Sequence, residues 1–169
     1  MAACPNCGAE VPPGGRWCGI CHSNVVNPAV GKLATPGKRL GAYFLDFVIP
    51  VLAVMFIFGI GGLGVAAGGR RAGGTLGVLL ASVLVIVYIV WAIRLFAQGT
   101  TPGKKALGMY VVKEDGQRAG FLTMLFREWI GKWISGFLLG LGYLWILIDK
   151  DRQAWHDKLA STFVVEQRV

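Results

Sequence analysis

LGAYFLDFVIPVLAVMFIFGIGGLGVAA at positions 40–67 and GGTLGVLLASVLVIVYIVWAIRLFA at positions 73–97 decide the fold. Asp46 is the one charge in the first run and Arg94 the one charge in the second. A helix needs ~20 apolar residues to cross the hydrocarbon core of a bilayer, and both runs exceed that length. Two long transmembrane helices are therefore predicted, Leu40 to Ala67 and Gly73 to Ala97. Gly68-Gly69-Arg70-Arg71 reads as a tight hairpin between them. Gly73, Gly77 and Ala81 recur at four-residue spacing, a pattern that lets helix backbones approach closely.

The rest of the composition agrees with a membrane chain. Apolar residues make up 54% of the 169 positions and charged residues only 15%, where roughly a quarter is usual for a globular protein. Mean hydropathy is +0.58. The net charge of +8 is placed beside the apolar runs, at Lys38-Arg39, Arg70-Arg71 and Lys104-Lys105. That placement fits lipid headgroups and topology signals, so the bilayer is the expected partner and nucleic acid is not. The first thirty residues contain no uninterrupted apolar stretch of the secretory-signal kind, so the first membrane helix is expected to direct insertion itself.

All four cysteines lie near the N-terminus: Cys4, Cys7, Cys18 and Cys21, spaced C-x2-C-x10-C-x2-C. Two such knuckles can supply four thiolates to one tetrahedral zinc, and residues 3–23 resemble a short zinc ribbon. Four protein ligands leave no open position for water, so the zinc is read as structural. Two disulfides are the alternative. His22 lies outside the ligand set. Glu10 and Arg16 are the only charged side chains in this segment, too few for a nucleic-acid finger. Pro28, Pro36 and polar residues argue against helix or strand over 23–37, SNVVNPAVGKLATPG. The expected organisation is a ribbon over 1–23, a linker over 24–37 and a membrane domain over 38–169.

Phe121 to Ile148 is apolar but carries Arg127, Glu128 and Lys132 in its first half. That half reads as an amphipathic interfacial helix, with Phe121, Leu122, Leu125, Trp129 and Trp133 on one face. The second half is either a third crossing or a re-entrant element broken near Gly140-Leu141-Gly142. Met109–Val112 and Thr162–Val165 are rich in strand formers. If they pair, both lie on one side of the membrane, and the segment between them must dip in and return or lie along the surface. The predicted fold class is an all-α membrane bundle with a small cytoplasmic β element and an N-terminal zinc ribbon. Thiolates survive best in a reducing cytoplasm, and the outer flanks of both helices are basic. A multi-pass cell-membrane protein with a cytoplasmic N-terminus is expected, although this puts Arg70 and Arg71 outside, against the positive-inside tendency.

Asp46 lies about two turns inside the first helix, and an acid within a membrane helix must protonate or find a partner. Pro50, four residues on, deprives the Asp46 carbonyl of its helical donor. Two readings follow: Asp46 pairs with Arg39 or Arg94 and fixes the helices, or it takes part in ion or proton movement.

Four segments together resemble the RDD family of membrane proteins, named for one arginine and two aspartates. They are KRLGAYFLD at 38–46, GTTPGKKALGMYVVKEDG at 99–116, LFREW at 125–129 and DRQAWHDKLASTFVV at 151–165. On this resemblance Arg39 and Asp46 match the arginine and first aspartate. Asp157 is chosen as the second, ahead of Asp149 and Asp151. Asp157 is expected to bind a basic loop such as Lys104-Lys105, and Arg39, Asp46, Asp157 and Arg94 are taken as a polar membrane cluster. Transport, including cation–proton exchange, has been proposed for family members, so the resemblance implies a small transporter or ion-coupled component. Such a small bundle would have to form a homo-oligomer to enclose a pathway. The rival reading is a non-transporting adaptor whose ribbon recruits a cytoplasmic protein. Catalysis is not expected: Gly59, Gly61 and Gly64 lie inside a span, and His156-Asp157 has no accompanying nucleophile motif.

Overall fold

Helix α1, Pro36–Gly68, and helix α2, Gly74–Ala97, make up the long axis of the chain. The computed structural model describes residues 2–68, 74–137 and 140–166. Helix α1 starts a turn earlier than the apolar run. The Thr35 hydroxyl accepts the Lys38 N–H at 3.4 Å, and Pro36 fills the first turn, where a missing N–H loses no helical bond. The windows Pro36–Phe56 and Gly77–Ala97, 21 residues each, are long and apolar enough to cross a membrane. Their side chains face outwards: Phe44, Phe47, Phe56, Leu79 and Ile86 are all exposed. Contiguous apolar surface of this extent is not compatible with water and marks a lipid or partner contact. Gly69, Arg70 and Arg71 of the expected hairpin, and Gly73 of the small-residue pattern, lie outside the described residues.

A three-stranded antiparallel sheet sits at the ends of these helices. Strand β3, Lys32–Leu33, pairs with the central strand β5, Thr162–Glu166, whose other neighbour is β4, Met109–Lys113. The two stretches rich in strand formers do pair, with Val111 opposite Val164. The stretch expected to be an unstructured linker is not one. It contains a 3-10 turn at Pro28–Val30 and strand β3, whose backbone pairs with β5. Pro28 starts that turn and Pro36 starts α1, so both prolines sit at positions that need no N–H.

This sheet also fixes what lies between β4 and β5. Strand β3 precedes α1, β4 follows α2, and β5 joins them, so all three lie at one end of the helix pair. A single pass by residues 121–147 would carry β5 to the opposite end. The segment instead folds back. It runs as α4 (Phe121–Phe126), a π-type turn (Arg127–Gly131), α5 (Lys132–Phe137), α6 (Leu141–Leu144) and a 3-10 turn (Trp145–Leu147). The pieces Phe121–Phe137 and Leu141–Leu147 are bent by 106°. The amphipathic pattern is realised inside-out: Trp133 and Phe137 are 82% and 86% exposed, whereas Arg127 is 2% exposed. Before β4, Thr101 caps the short helix α3, Pro102–Ala106, and after the bend α7, Trp155–Leu159, leads into β5.

Strand alternation gives the sheet two buried faces. Met109, Val111 and Val164 pack towards the helices with Ala42 and Met124. On the other face Val112, Phe163 and Val165 pack with Trp17, from the cysteine-bearing segment. The Trp17 and Phe163 rings lie 5.4 Å apart. Arg16 donates to the Glu114 carbonyl at 2.8 Å, and the Leu33 N–H donates to the His22 carbonyl at 2.9 Å. The N-terminal segment, with its hairpin β1 (Ala2–Ala3) and β2 (Glu10–Val11), is thus docked on the sheet rather than suspended before it. Trp17→Ala should therefore lower the unfolding midpoint of the whole protein, at about 3–5 kcal/mol for a buried aromatic truncated to alanine. Melting in detergent at the wild-type temperature would show that the two parts are independent.

Candidate functional site: an ion network beside a cavity

Asp157 opens α7 with its carboxylate turned inwards, fully buried. Two guanidiniums share it. Arg39, from the first turn of α1, donates at 2.6 Å to Oδ2, and Arg127, from the π-type turn, donates through Nε at 2.7 Å to Oδ1. The Ala154 N–H adds a bond at 3.2 Å. Arg39 also reaches the Val164 carbonyl at 3.3 Å, which joins the network to the central strand. Arg127 touches Glu128 at 2.5 Å, and Lys104 reaches the same carboxylate at 2.8 Å. Lys132 completes that pair from the next helical turn. Two buried carboxylates, Asp157 and Glu128, thereby hold four cations.

Burial alone would raise the Asp157 carboxyl, but Arg127 and Arg39 hold it well below the usual carboxylate range. Burial pushes the Lys104 ammonium down to about 8. Glu128 opposes that shift, while Arg127 and Lys132 reinforce it. His156 is lowered to about 3, mainly by burial, so its imidazole is neutral at physiological pH.

Asp46 is not held by an arginine. Its carboxylate accepts the Thr101 hydroxyl at 2.6 Å and the Gly103 N–H at 2.7 Å. The same Thr101 oxygen accepts the Lys104 N–H at 3.3 Å, so one side chain caps α3 and ties it to α1. Contact is close: a Cβ on Gly103 would lie 2.2 Å from the Ala42 carbonyl, so only glycine fits there. The expected partners went elsewhere. Arg39 takes Asp157, and no described contact joins Arg94 to Asp46. Nor does Asp157 bind Lys104-Lys105, because two arginines already occupy its oxygens and Lys104 serves Glu128. Asp149, the alternative second aspartate, pairs with Lys158 at a partly exposed site.

His156 Nδ1 lies 3.1 Å from the Ser135 hydroxyl and Nε2 lies 3.5 Å from Asp157. The set has the members of a nucleophilic relay but not its access. Ser135 is fully buried, and its oxygen accepts the His156 backbone N–H.

A cavity of about 620 Å³ opens beside the network. Arg39, Lys104, Arg127 and Lys132 all reach its wall, together with Asp46 and His156. The remainder is mainly apolar, with Leu40, Tyr43, Tyr143, Leu144, Ile146 and Leu147. The second site is the cysteine cluster. The sulfurs of Cys4, Cys7, Cys18 and Cys21 all lie within 4.8 Å of one another, and the Cys4–Cys21 and Cys7–Cys18 pairs are 3.6 Å apart. Metal–sulfur bonds of ~2.3 Å in a tetrahedron put sulfurs about 3.8 Å apart, so the donor set fits one metal ion.

The fold and site together describe a mostly helical chain with two membrane-length helices, tied to a small sheet by buried ion pairs. The chain belongs to the RDD family, whose pattern matches residues 33–161. It is 27% identical over 130 residues to "Uncharacterized protein YckC" of Bacillus subtilis (strain 168), an alignment covering 75% of this chain and 80% of that protein. No solved structure matches it. Family and apolar helices together suggest a membrane protein.

Residues of the site that the sequence reading did not assign to it are Thr101, Gly103, Arg127, Glu128, Lys132 and Ser135. Their sequence signals were present but weak: a Thr-Pro-Gly turn, and an Arg-Glu pair within an apolar stretch.

A double-mutant cycle separates the two carboxylates. Arg39→Gln and Asp157→Asn should couple strongly, each single change costing about 3–5 kcal/mol because it strands a buried charge. Arg39→Gln and Asp46→Asn should add within about 0.5 kcal/mol. Coupling of the second pair in detergent unfolding would restore the Arg39–Asp46 contact.

The His156 shift has a definite sign. An unfolded histidine takes up a proton near pH ~6.5, whereas the folded one stays neutral until about 3, so stability falls as pH falls through that window. Asp157 contributes below its ordinary value only, so over pH 6.5 to 4.5 the imidazoles dominate, His156 together with His22, which burial also lowers. His156→Gln should flatten the melting-temperature slope there, and an unchanged slope would show that His156 is not the group responsible.

Proposed function

We propose that this is a multi-pass cell-membrane protein of the transport type, which binds an anionic ligand in the cavity beside its ion network. In this reading α1 and α2 cross the bilayer, and the sheet, the cysteine segment and the loops face the cytoplasm. The reducing cytoplasm suits four free thiols, and Lys32, Lys38, Lys104 and Lys105 give that side the usual basic character. The N-terminal segment is a zinc ribbon with a structural role.

One observation carries the ligand charge. Four cations reach the cavity wall, and the single carboxylate beside them, Asp46, is already engaged by two donors. Asp157 and Glu128 neutralise two of the four positive charges from behind and Asp46 offsets a third, which still leaves the wall net positive. A cavity with this balance attracts an anion and repels a cation, so cation–proton exchange through Asp46 fits it poorly. Catalysis is not part of the reading, because Ser135 has no path to a substrate. A single chain with two long described helices encloses little, so a transport role would engage more than one copy. The adaptor reading draws only on Ile20 and Val26, 74% and 75% exposed beside the cysteine cluster, since Trp17 is already used by the protein's own sheet.

Two measurements bear on this. Purified protein should hold about one zinc per chain by elemental analysis, as one four-cysteine site requires. Cys4→Ser should lose the metal and lower the melting temperature, because the ribbon presents Trp17 to the sheet. Metal-free protein with oxidised cysteines would overturn the zinc assignment. For the cavity, calorimetric titration in a non-ionic detergent should show dodecyl phosphate binding at least tenfold more tightly than dodecylphosphocholine. Ile146→Trp, which fills the cavity, should abolish the difference. Equal binding of the two amphiphiles would defeat the anion-site reading.

A further inference from the structure

The cavity has features that a small soluble anion does not use. At about 620 Å³ it has room for some twenty waters at ~30 Å³ each. A free phosphate or carboxylate ion would fill a small part of it and leave most of the apolar wall wet. Arg39, Lys104, Arg127 and Lys132 are held together through Asp157 and Glu128 and so form one charged group on the wall. Apart from Asp46 and His156, the other lining side chains are mainly aliphatic or aromatic. The site is therefore amphipathic, with a charged end and a greasy end.

Its rim is apolar and exposed. Leu40, Tyr43, Leu144 and Leu147 line the cavity and are 70%, 56%, 57% and 66% exposed. Leu40 and Tyr43 belong to the first two turns of the window Pro36–Phe56. At 1.5 Å per residue, Tyr43 lies about 10 Å along the axis from Pro36. If α1 crosses the bilayer, Arg39 sits at headgroup level, and the Leu40–Tyr43 rim faces the upper acyl region. The opening is then lateral, towards lipid, and not axial, towards water.

The cationic side also has unspent capacity. The buried Nε of Arg39 has no acceptor among the described residues, although the other two nitrogens of that side chain are engaged. Lys132 keeps 23% of its side chain exposed while touching Glu128. An acceptor-rich anion entering here would meet an unfilled N–H and an excess of positive charge.

We infer that the cavity holds one anionic phospholipid of the surrounding bilayer, its phosphate against Arg39, Lys104 and Lys132 and an acyl chain along Leu40, Tyr43, Leu144 and Leu147. This rests on the anion-site reading above and names the source of the anion.

The test uses full-length protein in mild non-ionic detergent, delipidated and then titrated with dioleoyl phosphatidylglycerol or dioleoyl phosphatidylcholine under native mass spectrometry. One phosphatidylglycerol per chain should bind at least tenfold more tightly than phosphatidylcholine, and millimolar inorganic phosphate should not displace it. Lys132→Gln should weaken that first lipid at least fivefold, whereas Lys113→Gln, an exposed change remote from the cavity, should not. Ile146→Trp should exclude it, and Lys132→Gln carries the test alone if that larger side chain disturbs folding. Equal affinity for the two lipids, displacement by inorganic phosphate, or loss of affinity in Lys113→Gln equal to that in Lys132→Gln would overturn the inference. If dodecyl phosphate still binds in a cavity-dependent way in those cases, the anion site stands and only the bilayer source fails. If neither binds, both fall.

Discussion

Asp157 is the point at which the fold closes. Its carboxylate is shared by Arg39, 118 positions earlier at the start of α1, and by Arg127, 30 positions earlier in the π-type turn. All three groups are buried or nearly so, and in a low-dielectric setting no member can be removed without leaving a charge stranded. The contact is also positional. Arg39 reaches the Val164 carbonyl, Val164 faces Val111 across the ladder, and the register of β4 on β5 is thereby referred to the first turn of α1. In the membrane reading proposed above, helices that expose their apolar sides to lipid gain little hydrophobic drive for association. Directional ion pairs between the sheet and the start of α1 supply the missing specificity.

The network does not balance its own charge. Two carboxylates between four cations leave positive charge next to an apolar-walled space, and the Lys104 ammonium is pushed down accordingly by burial and by its cationic neighbours. A closed structural lock would gain from pairing each base with an acid. Keeping more cations than carboxylates on a cavity wall is instead the arrangement of a site that expects an anion. Burial is the main reason that His156 stays neutral, and the same geometry adds to it, since a protonated imidazole would place another positive charge beside Arg127 and Lys132.

The features legible from the sequence were those set by local periodicity or by spacing. Both long helices, the pairing of 109–113 with 162–166, the four-cysteine cluster and the RDD resemblance were all within reach of run length, residue type and motif order. The partner of Asp46 was not. Helical spacing favours another charge on the same or a facing helix, and Arg39 and Arg94 were the visible candidates. The actual donors are a hydroxyl and a backbone N–H at positions 101 and 103, and nothing about a Thr-Pro-Gly turn announces which carboxylate it will meet. Strand β3 was hidden for a different reason. Two residues between prolines carry no periodicity, and they become a strand only because β5 offers them an edge.

The docking of the cysteine segment follows from the same sheet. A strand pair with alternating side chains presents apolar residues on two faces, and the helices cover only one of them. Phe163, Val165 and Val112 would face water on the other, a loss that a sheet of three short strands has little reserve to bear. Trp17 is large enough to cover them, but it lies in a segment too small to build a core of its own. A metal held by the four cysteines, as proposed above, would give that segment a fixed shape without a core and so present Trp17 where the sheet needs it. The knuckles and the membrane-length helices are therefore not separate modules. The metal-capable cluster shapes the lid, the lid covers β5, and α7, which leads into β5, carries Asp157, on which the ion network closes.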